Sequence, residues 1–70
     1  MHGEPAKHDG ADQIVLYLTR GELLLLAGCV NEAMEAVEDW EFSARLGAEK
    51  ARAGILRSEL ADLISQLPPE

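Results

Sequence analysis

The sequence predicts an all-α, or mostly α, domain: a long helical hairpin with a short intervening helix, room for one short N-terminal strand, and association as a helical-bundle dimer. Three observations carry this. Apolar residues recur at helical spacing over 20–39 and again over 48–66. Start and stop signals bracket the pair, with a Thr19…Glu22 capping box before the first segment and Pro68-Pro69 after the second. Finally, the apolar surface of the first segment covers an arc of roughly 200°, against about 100° for an ordinary amphipathic helix. A single partner helix cannot cover so wide a face.

Residues 1–12, MHGEPAKHDGAD, combine Gly, Pro and charge without apolar periodicity and read as a disordered tail. They hold both histidines, His2 and His8, which read as incidental polarity rather than as a metal site or a pH sensor. Residues 13–18, QIVLYL, form an unbroken apolar run rich in β-branched and aromatic side chains, and read as a buried strand or an extended arm. An early helical turn is the alternative, and the cap at Thr19 disfavours it. A lone strand cannot complete its own ladder, so this reading requires a symmetry mate or another protein beside it.

The first long helix starts at about 20 and ends at 36–39. Leu23, Leu26, Ala27, Val30, Ala33, Met34 and Val37 fall on one stripe, and Leu25, Cys29, Ala36 and Trp40 extend it sideways. Gly21 and Gly28 weaken the helix by about 1 kcal/mol each relative to Ala, and Gly28 offers a place for close approach of another backbone. In DWEFSARLG, Asp39 reads as an N-cap and Gly47 as the C-terminal stop, with Glu41 and Arg45 spaced for an exposed ion pair. Trp40, Phe42 and Leu46 are the expected plug of the hairpin. In the second long helix, Leu56, Leu60, Leu63 and Leu67 are spaced 4, 3 and 4 apart as in a heptad seam, bordered by Ala53 and Ile64, while Ile55 points elsewhere. The domain therefore spans 13–67, and residues 68–70 form a C-terminal tail.

Seventy residues make one small domain, of the size that often relies on disulfides, metals or self-association. The single cysteine excludes an intrachain disulfide, reads as a small buried apolar residue, and points to a reducing, cytoplasmic setting. No segment resembles a signal peptide or is long enough to span a bilayer. Thirteen acidic against six basic residues give a net charge of −7, which repels nucleic acid and anionic membranes. Glu32, Glu35 and Asp39 group opposite the main apolar stripe, as a solvated helix back or as a docking surface for a basic protein. No metal-ligand spacing joins them.

No catalytic constellation or phosphate-binding loop is present, so the chain reads as non-enzymatic, with no cofactor. Two DNA-binding alternatives exist. Residues 40–57 resemble a helix-turn-helix that would present Lys50, Arg52 and Arg57 to DNA. The order strand, helix, GILRSELADLI resembles a ribbon-helix-helix, although its base-reading positions would be Gln13, Val15 and Tyr17, without a cation.

The stretch LTRGELLLLAGCVNEAMEAVEDWEFSARLG is also similar to small uncharacterised bacterial helical proteins sharing an LTxxELxLLxxxLNE…EFxxRxG-like pattern. Leu18, Thr19, Glu22, Leu23, Leu25, Leu26, Asn31, Glu32, Glu41, Phe42, Arg45 and Gly47 occupy its places, and Cys29-Val30 departs from it. The resemblance implies a bacterial origin and a compact helical fold, and transfers no functional residue. The expected function is that of a small acidic interaction module. It would dimerise through Leu25, Cys29, Ala36, Leu56, Leu60 and Leu63, and offer Glu32, Glu35 and Asp39 to a basic partner, as an immunity or antitoxin-type binder would.

Overall fold

The computed structural model describes residues 1–7 and 12–69. In chain order these form β1 (His2–Pro5), β2 (Ile14–Tyr17), α1 (Arg20–Ala36), α2 (Asp39–Leu46) and α3 (Lys50–Ser65). The mostly helical class and the helix–short helix–helix order match the sequence expectation.

The N-terminus departs from it. Residues 2–5, expected to lack structure, form a strand that pairs antiparallel with β2, His2 opposite Tyr17 and Pro5 opposite Ile14. The ladder partner that β2 requires is thus supplied by its own chain, not by a symmetry mate. A four-residue strand containing Gly and Pro carries no apolar periodicity, which hid it. Two contacts on one face of the ribbon help hold it: the His2 and Tyr17 rings stack at 5.6 Å, and the Tyr17 hydroxyl donates to Glu4 Oε1 at 3.3 Å. On the other face Gly3 leaves room for Leu16, whose Cδ2 would lie 2.9 Å from a Cβ placed there. Ile14 and Leu16 remain exposed, so this face has no cover among the described residues. The parts of the expected tail at 8–11 and at Glu70, His8 included, lie outside the described residues.

The Thr19 capping box is complete. The Glu22 amide donates to Thr19 Oγ1 at 3.1 Å, and the Thr19 amide donates to Glu22 Oε1 at 2.9 Å. The N-terminal ammonium lies 2.7 Å from Glu22 Oε2 and ties the ribbon to the start of α1. That ammonium, and next the Thr19 amide, hold the Glu22 carboxyl below the usual carboxylate range.

Helices α1 and α3 lie antiparallel, as their contacts show. The Arg20 guanidinium at the start of α1 donates to the Pro68 carbonyl just beyond α3. Arg57 Nη1 donates to Asn31 Oδ1 at 3.1 Å, and the Met34 methyl lies beside Gly54, 3.5 Å from where a Cβ would stand. Helix α2 ends at Gly47, whose φ of 76° is the left-handed geometry that terminates helices and favours glycine. Its N-cap is Glu38 rather than Asp39, and the Glu38 side chain makes no capping bond. Asp39 instead meets Lys50.

The core is three large side chains, one from each helix: Leu23, Phe42 and Leu60. Phe42 plugs the hairpin as expected, but Trp40 is 80% exposed. Two residues apart on a helix means about 200° of rotation, so only one of the pair can face inward. Among the described residues thirteen large apolar side chains stay exposed, far more than the core hides. The Cα radius of gyration is 14.0 Å, against about 11 Å for a compact chain of this length. The shape is flat, 37 × 36 × 17 Å, and the accessible surface of 5733 Å² exceeds the roughly 4,300 Å² typical of a monomer of this mass. Stable domains are built from two packed layers; here two long helices side by side make one.

Candidate interaction surface

Two apolar surfaces flank the α1/α3 layer. The first is a groove in which Phe42 and Leu46 of α2 face Val30 and Ala33 of α1 and Ala53 and Leu56 of α3. Heptad spacing on α3 puts Leu56 there, half-exposed, with Leu63 one heptad further along. Arg52 and Glu59, also seven residues apart, stand at the groove's rim together with Ile55. Both charged residues are exposed, and neither has an ion pair among the described residues.

The second surface is a shoulder of α1 formed by Leu24, Leu25, Gly28, Cys29, Asn31 and Glu32, with Asn31 at its edge toward α3. Leu25 is 70% exposed, and Cys29, expected to be buried, is an exposed thiol. A Cβ on Gly28 would meet nothing within 4 Å, so its absence serves no close approach within this chain. Glu32 and Glu35 are exposed beside this shoulder.

Of the six expected interface residues, Leu25 and Cys29 line the shoulder and Leu56 lines the groove; Ala36 and Leu63, both exposed, each lie seven residues beyond Cys29 and Leu56 on the same helix face. Leu60 belongs to neither. It is buried within its own chain, because the middle of the leucine seam is where α3 meets α1. The acidic trio also divides. Glu32 and Glu35 stay on the outer surface, whereas Asp39 lies beyond the end of α1 and pairs with Lys50 at 2.8 Å. The expected Glu41–Arg45 pair forms at 3.5 Å.

Lys50 is the residue whose role the sequence hid. Its Nζ donates to the Val37 carbonyl at 3.0 Å and to Asp39, and sits 5.7 Å from the centre of the Phe42 ring. It therefore satisfies a carbonyl left open where α1 ends, and locks the α1–α2 turn against the start of α3. Lys50 and Arg57, two of the three cations assigned to a helix-turn-helix, are thus engaged inside the fold. The Val37–Lys50 separation of 13 residues leaves no periodic signal by which sequence alone could pair them.

Among the described residues no group of three or more His, Cys, Asp or Glu could hold a metal ion, and no helix is long and apolar enough to cross a membrane. No family model, curated protein or solved structure matches the chain.

Proposed function

We propose that the protein is a non-enzymatic protein–protein interaction module that works as a homodimer in a reducing, cytoplasmic compartment. The observation that carries this is the uncovered apolar surface of a one-layer helical hairpin, with three large side chains buried and thirteen exposed. The excess over a typical monomer is about 1,400 Å² per chain. A standard-size contact of about 800 Å² per partner would hide a large part of it. The uncovered Ile14/Leu16 face of the ribbon adds to the demand, because a lone two-stranded ribbon is marginal in water. The test is the mass in solution by light scattering over a dilution series. A dimer is expected, and a monomer at all concentrations overturns the reading.

The α1 shoulder is then the surface for a second protein. Exposed Leu25 and Cys29 beside Glu32 and Glu35 suit a basic partner, and an immunity or antitoxin-type binder is the concrete form of this reading. Purification from native lysate with wild type and with Leu25→Glu is the test. A basic protein retained only by the wild type is expected; DNA retained equally by both would overturn it in favour of nucleic-acid binding.

A further inference from the structure

The groove and the shoulder compete as the homodimer interface, and charge separates them. The charged residues of the shoulder and its edge are Glu32 and Glu35, so a twofold contact through it offers them no cation from a second copy, in a chain already at −7. The groove rim has the opposite property. Arg52 and Glu59 carry opposite signs on one edge of α3, seven residues and so about 10.5 Å apart, too far to neutralise one another.

We infer that the occupant of the groove is a second copy of this chain, with the two α3 helices antiparallel about a twofold axis between Ile55 and Leu56. That axis places Arg52 opposite Glu59 of the partner subunit and, by symmetry, Glu59 opposite the partner subunit's Arg52. It also places Leu63 opposite the partner subunit's Ala48, and brings Ile55 and Leu56 of the two copies together at the centre. An isologous contact must be self-complementary, with each contact made twice. A parallel pairing would set Arg52 beside the partner's Arg52 level instead. The antiparallel arrangement satisfies both charges, covers the exposed Ile55, Leu56 and Leu63, and puts a second layer over the Phe42 groove. It confines the dimer contact to α3 and leaves the Leu25 shoulder to another protein. This inference rests on the homodimer reading proposed above.

The experiment measures the dimer dissociation constant by sedimentation equilibrium for wild type, Arg52→Glu, Glu59→Arg and the exchange of both, with helicity checked by circular dichroism. Each single change sets like charges opposite one another at two symmetry-related positions, and is expected to weaken the dimer about tenfold or more. Glu59→Arg is the more telling, since it reduces the chain's negative charge and should strengthen any non-specific association. The double exchange is expected to restore the dimer to within about threefold of wild type. Single variants that weaken the dimer without rescue in the exchange overturn the antiparallel register. A dimer indifferent to all three variants but broken by Leu25→Glu overturns the groove as its site and leaves the homodimer reading standing. A monomeric wild type overturns both.

Discussion

Phe42→Ala tests the packing of this fold at its centre. Phe42 is 1% exposed, the most buried large side chain in the structure, and it reaches the groove from α2 while Lys50 lies over its ring. Truncating a buried Phe to Ala removes about 3–5 kcal/mol through lost transfer energy and the cavity left behind. A 70-residue domain at about 0.05–0.15 kcal/mol per residue has only about 3.5–10 kcal/mol in total. The variant is therefore expected to be largely unfolded, or to unfold at far lower denaturant. Trp40→Ala, two residues earlier and 80% exposed, is expected to change stability by about 0.5 kcal/mol or less. Urea unfolding followed by circular dichroism measures both. Trp40 is the single tryptophan, so its fluorescence gives a second reading: a water-exposed emission, quenched readily by acrylamide. A cost for Trp40→Ala equal to that for Phe42→Ala, or a shielded indole, would refute the orientation of α2.

Lys50→Met keeps the aliphatic stem but removes both hydrogen bonds, and is expected to cost about 1–2 kcal/mol. Most of that cost comes from the Val37 carbonyl, because Asp39 is too exposed to contribute much; a loss largely unaffected by salt in urea melts would bear this out. Gly47→Ala forces a Cβ into the left-handed region with no neighbour within 4 Å, so a purely conformational loss of about 1 kcal/mol is expected, and none for Ala44→Gly beyond its helix-propensity cost. The lowered Glu22 value means that its contribution is present above the ordinary carboxylate range and lost as pH falls through the lowered value. Amide exchange in the first turn of α1 should therefore accelerate on acidification in wild type and respond less in Glu22→Gln; identical pH responses would refute the role assigned to the ammonium–Glu22 contact.

Much of the fold was legible from local chemistry. Thr19 and Glu22 marked the start of α1 because a capping box needs only residues three apart, and Gly47 marked the end of α2 because few other residues accept its backbone angle. Leu23, Phe42 and the leucine spacing of α3 named the core candidates. Other features depended on distance in the chain. β1 became a strand because β2 lay within reach, and no pattern inside HGEP announces it. Trp40 and Phe42 looked equivalent as apolar groups, and only the angle at which α2 meets α3 chose between them.

By itself, the sequence determined the helical class, the helix ends and an apolar surface too large for one small hairpin, since all of these follow from period, caps and composition. The tertiary structure decided which parts of that surface were covered. It buried Leu60, left Leu25 and Leu56 on different faces, and drew Lys50 onto the Val37 carbonyl and the exposed Asp39. It also stood Arg52 and Glu59 at the rim of a groove. The physical reason is that periodicity defines a face of each helix, whereas only the crossing of α1, α2 and α3 in space defines what that face meets.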